Sequence, residues 1–223
     1  MKISLTLLQI APRLVALGTL ALIMTPILMP ATAFSAEKMA TVPIIQPAPL
    51  VSIASHDSFF DSIRALCGKA FAGKVTVDNQ PTSSMTDKPL VMHVRRCKDD
   101  VLYIPFHVGE DASRTWIITK TGSGLSLKHD HRHKDGSYSE STMYGGHTLD
   151  AGWPQVQSFP ADAYSKALFA KSGIPQSSSN IWQMFIYPET FTYRLIREGR
   201  EFRVDFDLTQ PIPVPAAPWG YAD

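Results

Sequence analysis

The stretch RTWIITKTGSGLSLKHDHRH, residues 114–133, decides the fold of this chain. Apolar and polar side chains alternate on both sides of Gly122-Ser123, a pattern typical of two antiparallel strands joined by a two-residue turn. The second strand is expected to run as far as His133, and the hairpin has one apolar face and one polar face. The turn fixes three cross-strand pairs: Ile118 with Leu127, Trp116 with His129, and Arg114 with His131.

The same two-residue alternation continues before this hairpin. A first strand is predicted at residues 70–78, and two more strands flank a loop at residues 98–100. Across that loop, Met92 is expected opposite Phe106 and Val94 opposite Ile104. His93 and His107 then fall on the other face of the sheet, where we expect them to be exposed.

Alternation returns near the end of the chain. A strand is predicted at residues 181–187, followed by a hairpin that turns at Glu198-Gly199. This turn predicts three further pairs: Phe191 with Phe206, Tyr193 with Val204, and Leu195 with Phe202.

Two segments have helical spacing of their apolar residues instead. Residues 57–69 are predicted to form a helix with Ser55 or Asp57 as the N-cap. Residues 160–171 are predicted to form a short helix with Pro160 in its first turn.

These predicted elements indicate a mainly β fold. Eight to ten short strands joined by tight turns tend to curl and close, which removes the exposed edges of the sheet. We therefore predict a single antiparallel β-barrel, lipocalin-like in its strand number, at residues 57–209; an open β-sandwich is the alternative. A Pro-containing extended leader is predicted at residues 34–56, and a Pro-rich tail at residues 210–223.

The first 33 residues have the features of a cleavable signal peptide. Weakly basic residues precede an apolar stretch at residues 14–28, and Ala31-Thr32-Ala33 provides a small-residue cleavage site. Pro26 and Pro30 interrupt the run before it reaches the length of about 20 residues that a membrane span needs. We expect cleavage after Ala33, a periplasmic or secreted protein, and no stable membrane insertion afterwards.

Charge narrows the classes of partner. Of the 21 Lys and Arg residues, Lys2 and Arg13 lie in the signal peptide, so 19 remain against 20 Asp and Glu residues. Nucleic acids and anionic membrane surfaces select proteins with a basic excess. We therefore expect neither to be the main partner.

The chain contains two cysteines, Cys67 and Cys97. In an exported protein, two cysteines most often form a disulfide. Cys67 precedes the first predicted strand and Cys97 ends the second, and antiparallel pairing brings these two positions together. We predict a Cys67–Cys97 disulfide.

The candidate site centres on the histidines at the end of residues 114–133. On a strand, residues two apart share a face, so His129, His131 and His133 are expected to follow Leu125 and Leu127 on the inner face near one rim. One interpretation is a pocket for an anionic or aromatic small molecule. Its predicted lining is His129, His131, His133, Trp116, Arg114 and Tyr144.

Two other interpretations of the histidines remain open. His129 and His131 have the His-x-His spacing of a chelate for Zn²⁺ or a similar ion, completed by a ligand from a neighbouring strand. The imidazoles can also be structural, with hydrogen bonds to cross-strand partners and to Asp135 or Glu140. The paired glycines of Tyr144-Gly145-Gly146 are expected to form a turn.

Several motifs together resemble a known group of proteins. LCGKAFAGKV, IPFHVGEDASRTW, LKHDHRHKDG, YGG and FPADAY occur in this order within residues 57–209. They are similar to a family of uncharacterised secreted proteins of Gram-negative bacteria. The resemblance implies export and a single β-rich domain, and it implies no activity.

Three hypotheses for function follow. The first is a small-molecule-binding barrel, and the second is a metal-dependent hydrolytic enzyme that uses His129 and His131. The third is a structural or protein-interaction module of the cell envelope, whose tail at residues 211–219 engages a partner. Motifs such as G-x-S-x-G, the P-loop and H-E-x-x-H do not occur in the sequence, so no catalytic residue is predicted.

Overall fold

The computed structural model describes residues 53–80 and 85–222. Within them are two α-helices, α1 (Ala54–Arg64) and α2 (Ala163–Lys171), and a short 3-10 helix at Pro175–Ser179. The strands in the same residues are β1 Ala70–Asp78, β2 Leu90–His93, β3 Arg96–Cys97, β4 Val101–Val108, β5 Asp111–Thr121, β6 Gly124–His131, β7 Tyr144–His147, β8 Val156–Pro160, β9 Ile181–Ile186, β10 Thr190–Arg197 and β11 Arg200–Ile212.

The strands form a nearly closed antiparallel barrel. Ten of them follow one another around the sheet in chain order, β11 pairs with β1, and the short β3 pairs with β4 beside this path. The ends of the path, β7 and β8, meet at a bridge between Gly146 and Ala161. The predicted fold class is confirmed, and the chain adopts the barrel, not the open sandwich.

Two glycines make the closure between β7 and β8 possible. A Cβ atom on Gly146 would lie 2.0 Å from the carbonyl oxygen of Pro160, and one on Gly145 would lie 1.9 Å from that of Leu127. The Ser165 hydroxyl, at the start of α2, accepts a hydrogen bond from the backbone N–H of Gly145. The segment expected to be a turn is therefore the strand that closes the barrel, because only glycine permits both neighbours to approach so closely.

Helix α1 covers one end of the barrel. Its Phe59, Phe60 and Ile63 are fully buried in the same core as the strand side chains. At the end of β5, the Lys120 ammonium group donates a hydrogen bond of 2.7 Å to the Asp57 carboxylate of α1. The helix begins at Ala54, earlier than predicted, and Ile53 provides no side-chain cap. Hydrophobic burial therefore positions α1 without the predicted Ser55 or Asp57 cap.

The predicted Cys67–Cys97 disulfide is confirmed. The Cα atoms of the two residues are 6.3 Å apart. The disulfide connects the turn that follows α1 to the short β3, beside the antiparallel β1–β2 pair. It therefore fixes the connection between the helix and the first strands.

The predicted registers of two hairpins are confirmed. All three β5–β6 pairs around Gly122-Ser123 and all three β10–β11 pairs around Glu198-Gly199 occur as expected. Of the two pairs predicted across the loop at residues 98–100, only Met92–Phe106 is found. Val94 lies in a break between β2 and β3, and β3 pairs with β4 in a register shifted by one residue.

Two further predicted boundaries are wrong. Strand β6 ends at His131, since the chain turns there, so His133 lies outside the strand and is exposed. Helix α2 begins at Ala163 with the Asp162 side chain as its N-cap. Pro160 instead ends β8. The signal peptide and most of the leader lie outside the described residues.

The C-terminal tail packs against the outer wall of the barrel. Strand β11 continues to Ile212, and beyond it the Trp219 backbone N–H donates a hydrogen bond of 3.0 Å to the Ala112 carbonyl. The Tyr221 hydroxyl donates a hydrogen bond of 2.5 Å to the Asp130 carboxylate, which is 2% exposed. The C-terminal tail, which the third hypothesis assigns to a partner, therefore contacts the barrel of its own chain.

Two histidines on this outer wall are buried, although the sequence predicts that they are exposed. His93 on β2 and His107 on β4 are each only 7% exposed, where the sequence predicts exposed side chains. The strand pattern places them on the outer face, but strand alternation alone does not indicate whether another segment covers that face.

Candidate functional site

A cavity of about 190 Å³ lies at the end of the barrel opposite α1. Its position follows from β5, because Lys120 near the end of that strand contacts α1 and Arg114 near its beginning lines the cavity. We call it the aromatic cavity. Its lining residues are Met85, Phe106, Arg114, Trp116, His129, Tyr144, Tyr193, Leu195, Arg200 and Phe202.

Stacked rings form the wall of the aromatic cavity. The Trp116 ring lies between those of Phe106 and Tyr193, with ring centroids 4.8 Å and 4.6 Å away. The Tyr144 ring stacks on the imidazole of His129 at 4.5 Å. Because these rings support one another from several strands, the wall is rigid and largely apolar.

His129 is a buried, neutral member of this wall. The backbone carbonyl of Tyr144 lies 3.1 Å from its Nδ1 atom and the Tyr193 hydroxyl lies 2.9 Å from its Nε2 atom. A carbonyl oxygen can only accept, so Nδ1 carries the proton and Nε2 accepts the hydrogen bond from Tyr193. Burial, the largest cause, lowers the pKa of His129 to about 3.

Two guanidinium groups line the aromatic cavity. Arg114 pairs with Asp111 and Arg200 pairs with Asp78, in each case through Nη1 at 2.6 Å. Neither aspartate lines the cavity. The ion pairs hold both arginines in place, and each guanidinium has further N–H groups for another acceptor.

Besides the guanidinium groups, the Tyr144 hydroxyl is a polar group of the cavity lining. Within the residues that the structure describes, it has no hydrogen-bond partner, whereas the Tyr193 hydroxyl is engaged with His129. Burial raises the pKa of Tyr144, and the nearby positive charge of Arg114 acts in the opposite direction. Tyr144 is thus a neutral hydrogen-bond donor beside a cation.

The structure brings together four of the six predicted pocket residues: Arg114, Trp116, His129 and Tyr144. His131 lies just beyond the cavity, where its Nε2 atom is 3.2 Å from the Ser113 hydroxyl oxygen. His133 is in the turn after β6. His131, the last residue of β6, and His133, beyond the strand, therefore do not line the cavity.

Sequence reasoning missed six lining residues. Four of them were predicted to lie on inward faces without being assigned to the site: Phe106, Tyr193, Leu195 and Phe202. Arg200 directly follows the Glu198-Gly199 turn, and alternation places it on the face of Phe202, but no sequence signal shows that this end of the hairpin lines a cavity. Met85 lies outside any strand, so alternation gives no information about it.

The arrangement does not resemble a ready metal site. In residues 53–80 and 85–222, no group of three or more His, Cys, Asp or Glu side chains is placed to hold a metal ion. Coordination by His129 would also break one of its two buried hydrogen bonds. The structural interpretation expected cross-strand partners, and His129 does bond its cross-strand partner Tyr144 and also Tyr193. Asp135 and Glu140, its other expected partners, do not pair with His129.

The described part of the chain contains no helix that is both long and apolar enough to cross a membrane. Comparison with known proteins gives no match to a family model, to a curated protein or to a solved structure. The geometry of the aromatic cavity is therefore the basis on which a function is proposed.

Proposed function

We propose that this protein is an exported binding protein that holds a small molecule in the aromatic cavity. The observation that carries the proposal is a cavity of about 190 Å³ with a rigid aromatic wall and convergent polar groups. A few polar groups in an otherwise apolar concave site are the usual composition of small-molecule sites. A cavity of about 150 Å³ already accommodates a benzene-sized molecule.

Several features support binding over catalysis. Both nitrogens of His129, the lining histidine, have hydrogen-bond partners. Asp111 and Asp78 beside the site are paired with arginines. No acid–base pair with open positions therefore faces the cavity within the described residues.

Export is part of this proposal. It rests on the predicted signal peptide at residues 1–33 and is supported by the Cys67–Cys97 disulfide, since disulfides persist in oxidising compartments. Fractionating cells that express the full chain, with and without residues 1–33, tests this part directly.

The binding proposal is tested by filling the cavity. Leu195 on β10 lines it, and the next residue, Ile196, lies on the other face of the same strand. We would measure binding of benzoate and benzyl alcohol to the purified chain by ligand-observed NMR, and compare Leu195→Trp with the matched control Ile196→Trp.

The expected result is that at least one probe binds the unchanged protein and Ile196→Trp, and that Leu195→Trp abolishes binding. Equal binding to Leu195→Trp, checked to be folded by circular dichroism, would place the probe elsewhere and reject the aromatic cavity as its site. Absence of binding by both probes would also count against the proposal.

A further inference from the structure

We infer that the ligand of the aromatic cavity is a small carboxylic acid, bound as its anion by Arg114 and Tyr144. This inference rests on the proposed function and goes beyond it by naming the chemical class of ligand. It follows from the charges of the lining, from the hydrogen-bonding capacity that the protein leaves unused, and from the size of the cavity.

The charges that line the cavity are all positive. Arg114 and Arg200 both line it, whereas no aspartate or glutamate does. His129 adds no charge, because its pKa of about 3 keeps it neutral near physiological pH. Asp111 and Asp78 pair with these arginines from outside the lining. A cationic ligand would therefore meet guanidinium groups and no carboxylate in the cavity, while an anion would meet cationic hydrogen-bond donors.

The hydrogen-bond donors point to the same class. Arg114 bonds Asp111 through Nη1 only, and within the described residues its Nε and Nη2 groups have no acceptor. The Tyr144 hydroxyl is likewise without a partner in that part of the chain. A guanidinium group and a neutral hydroxyl offer N–H and O–H donors to the two oxygens of a carboxylate.

Arg114 and Tyr144 are both held in position. The Asp111 ion pair holds the guanidinium group, whose side chain is 27% exposed. Stacking on His129 at 4.5 Å holds the Tyr144 ring. Because neither group must be ordered on binding, little conformational entropy is lost when an anion docks.

The remaining lining determines the body of the ligand. Phe106, Trp116, Leu195 and Phe202 present apolar surface beside the donors. A volume of about 190 Å³ is somewhat larger than the cavity of about 150 Å³ that holds benzene. The acid is therefore of the size of benzoate or of a short branched aliphatic acid.

The experiment compares three probes of one shape, benzoate, benzamide and benzylamine, by isothermal titration calorimetry at neutral pH. We expect benzoate to bind about tenfold or more tightly than benzamide, and benzylamine to bind most weakly, since only the carboxylate gains charge-assisted hydrogen bonds. Benzamide keeps the ring and an oxygen acceptor, so it isolates the effect of the negative charge.

Substitutions test whether Arg114 and Tyr144 cause the preference for benzoate over benzamide. Arg114→Gln is expected to weaken benzoate binding about tenfold and to change benzamide binding less than about threefold, with Arg114→Lys between Arg114→Gln and the unchanged protein. Tyr144→Phe keeps the stacked ring and is expected to weaken benzoate binding about fivefold. Arg194→Gln removes the same charge from the outer face, where Arg194 pairs with Glu201, and is expected to have no effect.

The outcomes separate this inference from the proposed function. Equal affinity for benzoate and benzamide would overturn the inference and leave the binding function intact. The same would follow if Arg194→Gln weakened benzoate as much as a folded Arg114→Lys variant. Failure of all three probes to bind would count against both.

Discussion

The Nε2 atom of His129 lies 2.9 Å from the hydroxyl oxygen of Tyr193, and this hydrogen bond joins β6 to β10 across the barrel interior. The two residues are 64 positions apart in the chain. His129 is 6% exposed and Tyr193 8% exposed, so this hydrogen bond is buried. The hydrogen bond therefore connects β6 with β10 on one side of the aromatic cavity.

Removing the Tyr193 hydroxyl tests the importance of this bond. Tyr193→Phe leaves the buried Nε2 atom of His129 without a donor, and we expect the free energy of unfolding to fall by about 1–3 kcal/mol. Urea denaturation followed by far-UV circular dichroism measures the change. Tyr187→Phe is the control because Tyr187 is half-exposed, and it is expected to change stability by less than about 0.5 kcal/mol. Equal stability of the two variants would contradict the prediction.

Acid is expected to destabilise the protein through its buried histidines. Burial is the largest cause that lowers the pKa of His129, to about 3, and it also lowers the pKa values of His93, His107 and His131. In the unfolded chain a histidine pKa is about 6.5, so below that pH the unfolded state binds protons that the folded state does not. Stability is therefore fully present above about pH 6.5 and is lost as the pH falls toward 3.

The change in the free energy of unfolding per pH unit gives the magnitude of this effect. Each histidine that is neutral when folded and protonated when unfolded contributes at most about 1.4 kcal/mol per pH unit. Urea denaturation at several values between about pH 7 and about pH 5 measures it, in a window above the carboxylate pKa values. His133→Ala should keep the full slope, since His133 is exposed. Stability that is constant over this window would refute the prediction.

The Cys67–Cys97 disulfide should contribute much of the stability. It closes a loop with a sequence separation of 30, for which the chain-entropy relation gives about 3–4 kcal/mol. The double variant Cys67→Ser, Cys97→Ser is expected to unfold at correspondingly lower urea concentration. Reduced unchanged protein serves as the control and should match the double variant. An oxidised protein no more stable than the variant would show that the prediction is wrong.

A methyl group at Gly146 should open the β7–β8 closure. The added Cβ atom would lie 2.0 Å from the Pro160 carbonyl oxygen, so β7 and β8 must move apart. We expect Gly146→Ala to lose about 2 kcal/mol or more and to speed amide exchange at Asp162, whose N–H donates a hydrogen bond to the Gly145 carbonyl. Gly173→Ala is the control, because its Cβ atom meets nothing within 4 Å and only its φ of +74° opposes the substitution. We expect a loss of about 1 kcal/mol there, so a larger loss than for Gly146→Ala would contradict the prediction.

The C-terminal tail should protect the outer wall of the barrel. Deleting residues 213–223 removes the Tyr221 hydrogen bond to the buried Asp130 and the Trp219 contact with Ala112. We expect a loss of about 2–4 kcal/mol, because a buried carboxylate loses a partner and apolar surface is exposed. Hydrogen exchange of β5 amides and urea denaturation measure it. Val214→Ser, at an exposed tail position, should behave as the unchanged protein; full stability of the truncated chain would contradict the prediction.

Part of the candidate site could be predicted from the sequence because two-residue turns fix strand register. The turn at Gly122-Ser123 places Trp116 opposite His129, and both line the aromatic cavity. Arg200 could not be identified, since its role depends on which strands meet across the barrel. His131 could not be separated from His129 by alternation, which places both on one face of β6; only the structure shows that the His131 ring contacts the Ser113 hydroxyl outside the cavity.

The sequence by itself determined the mainly β fold, the register of two hairpins and the pairing of Cys67 with Cys97, because these follow from local alternation, turn residues and the adjacency of antiparallel strand ends. Only the tertiary structure decided that Gly146 closes the barrel and that Tyr221 covers Asp130. It also decided that Tyr193 and the Tyr144 carbonyl occupy both ring nitrogens of His129. These contacts join residues distant in the chain, and their positions depend on how the whole sheet curls. Residues 114–131 thus determined which side chains of this hairpin face inward, and the closed barrel determined what those side chains contact there.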